Sequence, residues 1–165
     1  MEIRDAREED LPQVVAIQNA LIATTTIEWR EEPYTVDDRR HWLEQHHEQG
    51  DPVLVAAEGT QVLGFAAYSD FRDTRRWPGY RFVVEHTVHV RHDQWGTGIG
   101  RALVDALVAR ARLDGKRVVV AAVDGDNAGS IRFHERVGFI EVARLPHLGF
   151  KHDRWLDLVL LQRDV

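Results

Sequence analysis

The stretch that most limits what this chain can become runs from Val83 to Arg101, VVEHTVHVRHDQWGTGIGR. Val83, Val84, Val88 and Val90 are β-branched, with Thr87 among them, which predicts a strand. Gly96, Gly98 and Gly100 follow after a short connection, and an apolar-periodic helix is predicted to start at about Ile99. A strand that feeds a glycine-rich loop at a helix N-terminus leaves backbone N–H groups free. It also sets the positive end of the helix dipole beside them. Glycine lets a bulky anion approach the backbone closely. The stretch therefore predicts a site for a phosphate-bearing ligand.

Three glycine patterns compete for that ligand. A P-loop needs Lys-Ser/Thr after its last glycine, but Gly100 is followed by Arg101-Ala102. A dinucleotide fingerprint needs G-x-G-x-x-G, and here the third glycine comes one residue early. That reading keeps some support, because a strand from Arg117 to Val123 ends in Asp124, near the spacing of a ribose-binding acid. The third pattern, Q/R-x-x-G-x-G/A, is met by Gln94-Trp95-Gly96-Thr97-Gly98-Ile99, with Gly100 and Arg101 beyond.

That third pattern resembles the pyrophosphate loop of GNAT acetyltransferases. A second stretch, Asn127-Ala-Gly-Ser130-Ile-Arg-Phe133-His134-Glu-Arg-Val-Gly138-Phe139, resembles the other signature of the family, N-x-x-[SA]-x-x-[FL]-[YH]-x-x-x-G-F. The resemblance implies acetyl-CoA as co-substrate and no metal. It further implies a pantetheine arm lying against Val88, His89 and Val90, pyrophosphate on residues 94–101, and Asn127 and Ser130 beside the arm. A backbone N–H near Val88 is then the expected oxyanion donor.

Within the family, V-E-H-T-V-H-V around Glu85 resembles the phosphinothricin acetyltransferase branch, whose glutamate acts as general base. His134 stands where that branch has His and many relatives have Tyr. The resemblance gives it the thiol side of the reaction, as a proton donor to the leaving thiolate or as the holder of a water. Gly79-Tyr-Arg-Phe-Val-Val-Glu85-His is similar to the corresponding run of methionine sulfoximine/sulfone acetyltransferases, with support from Thr26-Ile-Glu-Trp29 and from residues 151–158. It implies a small amino acid substrate bearing a polar head, held by Arg81 and walled by Tyr80, Phe82 and Trp29. Arg81 shares strand parity with Glu85 if the strand runs unbroken from Tyr80 to Arg91. The family also implies a homodimer. His89 departs from it, since relatives usually have Tyr there. Another small amine or a protein N-terminus as acceptor, a non-catalytic acyl-CoA-binding module and a dinucleotide-binding domain are the alternatives.

Composition narrows the remaining classes. A net charge of −6, from 21 basic and 27 acidic residues, gives no basic surface for nucleic acid or anionic membrane. No apolar run reaches a membrane span, MEIRDAREED lacks a signal-peptide core, and there are no cysteines, so a cytoplasmic protein is expected. Residues 1–165 are expected to form one α/β domain, a mixed twisted sheet of about seven strands flanked by about four helices.

Helices are expected from an Asp10 N-cap to Ile22, from Thr35 to Gly50, from Ile99 to Gly115, and from Asn127 to Gly138. The second has a thin apolar face and is expected to cover a site or a partner. Its His41, His46 and His47 are read as a solvated face. Strands are expected at Glu2–Ala6, Val53–Glu58, Val62–Tyr68, Tyr80–Arg91, Arg117–Val123, Phe139–Leu145 and Trp155–Gln162. Asp124 to Glu135 approximates a calcium-binding EF-hand loop. Ala128 lacks a ligand oxygen, however, and a strand precedes the loop where an EF-hand has a helix.

Overall fold

The structure is a computed structural model describing residues 1–165. Seven strands form one mixed sheet in the order β1-β2-β3-β4-β5-β7-β6. They are β1 (Glu2–Asp5), β2 (Val53–Glu58), β3 (Gln61–Asp70), β4 (Val83–Val90), β5 (Val118–Asp124), β6 (Ile140–Lys151) and β7 (Arg154–Asp164). The helices are α1 (Leu11–Ile22), α2 (Val36–Gln49), α3 (Ile99–Leu113) and α4 (Ala128–Arg136). No helix is long and apolar enough to cross a membrane.

Each face of the sheet carries its own core. On one face, α3 buries Ile99, Leu103, Val104, Leu107, Val108 and Ala111 against even-numbered positions of β4 and against Val119, Ala121 and Val123 of β5. On the other, α1 and α2 pack Leu11, Val14, Ile17 and Leu43 onto Val53, Val55, Phe65 and Ala67. Alternation along β4 thus sends Val84, His86, Val88 and Val90 to the α3 side, and Glu85, Thr87 and His89 to the α1/α2 side.

Local signals set several boundaries. Thr35 and Asp38 cap α2 reciprocally, at 3.1 and 2.8 Å. Asn127 caps α4 by accepting from the Ser130 amide at 3.0 Å. Gly59 at φ 60° turns β2 into β3. Asp10, expected as the cap of α1, makes no cap bond. Its carboxylate instead takes a two-pronged bond from Arg4, at 2.7 and 2.9 Å, and the Arg7 amide.

Two expectations of strand length fail. The central strand begins at Val83, because Pro78–Tyr80 form a 3-10 turn that ends the charged loop. The last two strands are longer than expected, and a two-residue turn at His152 and Asp153, φ 52° and 56°, joins them.

The feature that matters for function is a gap in the sheet. β4 and β5 run parallel and pair only from Val83↔Val118 to His86↔Ala121. Beyond that point β5 stays with β7 as far as Asp124, while β4 continues to Val90 with no neighbour on that side. The Arg91 amide bonds to Leu63 of β3, and no bulge interrupts the β3–β4 register. Odd-numbered amides of β4 therefore face β3, and those of Val88 and Val90 face the gap.

Candidate active site

The gap opens into a cavity of about 670 Å³. Twelve of the residues expected to hold the cofactor line it: Val88, His89, Val90, Gln94, Trp95, Gly96, Gly98, Ile99, Gly100, Arg101, Asn127 and Ser130. Thr97 does not; its hydroxyl is turned back to the Gln94 carbonyl at 2.7 Å. Leu21, Ile27, Gly129, Phe133, Arg136 and Val137 complete the wall. Of these, Leu21 comes from the last turn of α1 and carries no motif that would single it out in sequence, while Ile27 lies in the Thr26–Trp29 run and arrives by folding of the segment after α1.

An anion would find donors here. The backbone N–H groups of Gly96, Gly98, Ile99, Gly100 and Arg101 make no hydrogen bond within the protein. They lie in the loop and first turn of α3, where the helix dipole adds positive potential. Gly96 and Gly98 sit at φ 79° and 93°, which opens the loop so that these amides converge. Further along, the Val90 carbonyl accepts from Trp95 Nε1 at 2.8 Å, which leaves the Val88 N–H and C=O as the free pair on the gap. A polar, amide-bearing arm ending in a diphosphate fits these donors: free amides at one end, a free strand edge at the other.

Glu85 lines a second cavity of about 240 Å³ on the α1/α2 side, with Trp42, His46, Tyr68, Asp70 and Thr87. Its carboxylate has neither an ion pair nor a hydrogen bond, and burial raises its pKa above the ordinary value of 4.5. A half-buried carboxylate without a partner is a proton acceptor of increased basicity.

His46, read from sequence as solvated, is buried in this wall. Its Nδ1 meets the Trp42 carbonyl at 2.9 Å, and the two rings are 4.6 Å apart. Only His41 and His47 remain exposed. The helix expected to cover a site does so, through Trp42 and His46 one turn apart.

His134 lies on the opposite face from Glu85. Its ring is 5.2 Å from that of His86 and 5.3 Å from Phe139, and it lines neither cavity. Nδ1 stands 2.8 Å from the Ser130 carbonyl, which can only accept, so Nδ1 carries the proton. Burial lowers the pKa. The imidazole is therefore neutral near pH 7, with the Nε2 lone pair unused. That state suits an acceptor, such as the holder of a water, and not the proton donor that was the other expectation.

The expected substrate residues are not brought together. Tyr80 and Arg81 precede the strand, so alternation does not carry Arg81 to the side of Glu85. The Arg81 guanidinium instead donates to the Pro78 carbonyl at 3.0 Å and stacks over Phe82 at 4.3 Å. Trp29 packs on Gly149, where any Cβ would collide with its ring. None of Trp29, Tyr80, Arg81 and Phe82 lines either cavity.

His89, the departure from the usual Tyr, is held firmly. Its Nε2 lies 3.0 Å from Glu28 and 3.1 Å from the Thr87 hydroxyl, and its ring stacks on Phe65 at 5.2 Å. Burial alone would raise the Glu28 carboxyl. The bonds from His89 and Gln18 outweigh it and hold the pKa below 4.5. The segment that brings Glu28 to His89 is held by Lys151, whose ammonium donates to the carbonyls of Ile22, Thr25 and Glu28 at 2.6, 2.9 and 2.7 Å. At Asp124 the carboxylate is occupied by the Thr26 hydroxyl and the Asp126 amide, and no group of three or more His, Cys, Asp or Glu residues is placed to hold a metal.

Residues 14–139 match the model of the acetyltransferase (GNAT) family. The chain is 44% identical to an L-methionine sulfoximine/L-methionine sulfone acetyltransferase of Pseudomonas aeruginosa over 161 residues, 97% of this chain and 92% of the relative. Among solved structures it resembles a ribosomal-protein-alanine N-acetyltransferase from Brucella melitensis, with TM-score 0.95, 38% identity and full coverage of both chains. It also resembles a GNAT superfamily phosphinothricin acetyltransferase from Sinorhizobium meliloti in complex with acetyl-CoA. There the TM-score is 0.92 and the identity 32%, over 99% of this chain and 88% of that one.

Proposed function

The chain belongs to the GNAT acetyltransferase family, and from that premise we propose that it moves the acetyl group of acetyl-CoA to the α-amine of a small amino acid. Methionine sulfoximine, methionine sulfone and phosphinothricin are the acceptors in view. The observation that carries this reading is the unpartnered Glu85 carboxylate in a small cavity, on the same strand whose Val88 amide is free at the gap in the sheet. The 44% identity to the methionine sulfoximine/sulfone enzyme supports the choice of acceptor. A cavity of about 240 Å³ suits a small amine better than a peptide terminus.

Acetyl-CoA supplies an acetyl group activated as a thioester, and the protein supplies position and proton transfer. The free amides of residues 96–101 and the edge of β4 at Val88 hold the cofactor, with Asn127 and Ser130 across from it. The Val88 N–H donates to the carbonyl oxygen as charge builds there. Glu85 takes a proton from the substrate ammonium, which exposes the lone pair for direct attack. The tetrahedral adduct collapses by expelling CoA as its thiolate, which takes a proton from a water held by the Nε2 lone pair of His134. Trp42 and His46 wall the acceptor cavity in place of Tyr80, Arg81, Phe82 and Trp29. Bringing both reactants to one gap turns a bimolecular step into an effectively unimolecular one.

We further infer that residues 1–165 act as one domain in a cytoplasmic homodimer. The β6–β7 hairpin supports the dimer: it leaves Val142, Leu148, Phe150 and Trp155 about half exposed or more on an edge of the sheet.

Thiol release measured with methionine sulfone, methionine sulfoximine, phosphinothricin, spermidine and an alanine-initiated peptide tests the reading. The amino acid analogues should be turned over best. Glu85→Gln should lower kcat by about 100-fold or more while acetyl-CoA still binds. The wild-type profile should lose activity as the pH falls toward the raised Glu85 pKa, because the base must be ionised, and the variant should lack that limb. Faster turnover of spermidine or the peptide would exclude the amino acid reading.

A further inference from the structure

His46 is a second basic group with an unused lone pair in the small cavity that holds Glu85. That cavity lies between a floor supplied by β3 and β4 and a roof supplied by α2, from which Trp42 and His46 reach it. His46 Nδ1 stands 2.9 Å from the Trp42 carbonyl, which can only accept, so Nδ1 carries the proton and Nε2 the lone pair. Nε2 makes no hydrogen bond, yet solvent reaches it, whereas both nitrogens of His86 and Nδ1 of His89 are sealed. The residue is only 8% exposed, so the cavity it lines is the route by which solvent arrives. The titratable groups around it are Arg39 and His47 on α2, Tyr68 and Asp70 on β3, and Glu85 and His86 on β4. Burial, helped by Arg39 and His47, outweighs the Trp42 carbonyl and lowers the pKa from 6.5. Near pH 7 the imidazole is therefore neutral, with a basic nitrogen open to the space beside the Glu85 carboxylate.

The chemistry asks for such a group. An acceptor nitrogen carries three protons as an ammonium and one as an amide, so two must leave, and the Glu85 carboxylate has room for one. Other groups of the cavity wall are engaged. Asp70 pairs with Lys116 at 3.5 Å and accepts from Thr74, and the Tyr68 hydroxyl donates to Asp114. The Thr87 hydroxyl lies 3.1 Å from His89, and the His86 nitrogens are sealed. We propose that His46 is the second proton acceptor of the transfer. Glu85 takes the first proton from the ammonium; the freed pair forms the C–N bond, and the π pair of the thioester carbonyl moves to oxygen. His46 Nε2 then takes the second proton from the nitrogen of the adduct, the oxygen re-forms its double bond, and the C–S pair leaves with sulfur. One of the two protons is matched by the one the thiol gains, and the other is released to solvent. This rests on the reading of the chain as an acetyltransferase for amino acids.

Single-turnover transfer to L-methionine sulfone at saturating acetyl-CoA tests the role in the wild type, His46→Gln and His46→Ala. His46→Gln keeps a hydrogen-bonding side chain without a proton acceptor, and its rate should fall roughly 100-fold, the low end of what a positioned base contributes. KM for acetyl-CoA should not move. Imidazole in the buffer should restore much of the rate to His46→Ala and none to Glu85→Gln. In acid the wild-type rate should fall with a slope above one on logarithmic axes, because both groups must be unprotonated. His46→Gln and Glu85→Gln should each bring that slope to one. A wild-type slope of one would overturn the proposal, since Glu85 would then pass its first proton to solvent and serve twice, and that measurement needs no variant to fold. A His46→Gln rate close to the wild type would overturn it too. So would a loss that imidazole does not restore and that leaves the acid limb unchanged, which would make His46 a support for Trp42. Failure of the underlying reading looks different: the wild type would not acetylate L-methionine sulfone at all while still binding acetyl-CoA.

Discussion

Lys151→Met should destabilise this protein far more than the loss of an ordinary surface lysine, and its size follows from what the ammonium touches. Lys151 is 1% exposed and closes a hairpin at the far end of the sheet from α1 in sequence. The carbonyls of Ile22, the last residue of α1, and of Thr25 and Glu28 in the segment after it point at its Nζ from 2.6 to 2.9 Å. Removing the ammonium strands those acceptors, at about 1–2 kcal/mol each within the range for a buried unsatisfied group. Burying a methyl group where an ammonium had to be desolvated returns part of that loss, and water entering beside the segment returns more. A net cost of about 2–4 kcal/mol is expected.

For a chain of this length that corresponds to a fall in Tm of roughly 6–12 °C, read by thermal unfolding or a urea titration. The effect should also reach the site, because the same segment carries Ile27 to the cofactor cavity and Glu28 to His89. KM for acetyl-CoA should therefore rise in Lys151→Met at temperatures where it is still folded. A variant as stable as the wild type would refute the reasoning, since those carbonyls would then have other partners.

Two further outcomes follow from geometry already described. Gly98→Val places a β-branched side chain at φ 93°, a strain of about 1–2 kcal/mol, but its Cβ meets nothing within 4 Å. The fold should survive by circular dichroism while KM for acetyl-CoA rises at least about 10-fold, and an unchanged KM would show that the loop amides do not hold the cofactor. In acid, Asp10 should contribute to the loss of stability. Burial alone would raise its carboxyl, but Arg4 and the Arg7 amide outweigh it and keep the pKa below 3.8. Its stabilisation is thus present above about pH 4 and lost as pH falls through the lower folded value. Asp10→Asn should flatten that part of the stability profile, and an identical acid limb would rule the pair out as its cause.

The loop from Gln94 to Arg101 was legible because its chemistry is local. Free amides, glycines at positive φ and a helix N-terminus are all properties of one short run of sequence, as are the caps at Thr35 and Asn127. The face on which Arg81 lies is not legible, for the opposite reason. Whether Arg81 shares a face with Glu85 depends on where the strand starts, and a proline at 78 with a 3-10 turn through Tyr80 moves that start past Arg81. His46 reads as polar, yet the stripe it forms with Arg39 and Leu43 is the buried side of α2. The segment that carries Ile27 to the cavity and Glu28 to His89 is held by Lys151, more than a hundred residues away in sequence. No local pattern announces that contact.

The relation between Glu85 and His134 shows the same division in its sharpest form. Each was identifiable from its own motif, but the motifs say nothing of their relative placement. The sheet does. His86 sends its ring to the face that carries α4, where it meets His134, and so its neighbour Glu85 must point to the face covered by α2. In an unbroken sheet those two faces would be sealed from each other by β4 and β5. Here pairing stops at His86↔Ala121, one residue past Glu85, which opens the sheet between them. Under the proposed mechanism that opening lets Glu85 on one face and His134 on the other serve a single bond. Burial shifts the two groups in opposite directions, raising Glu85 and lowering His134, because it disfavours the charged form of each.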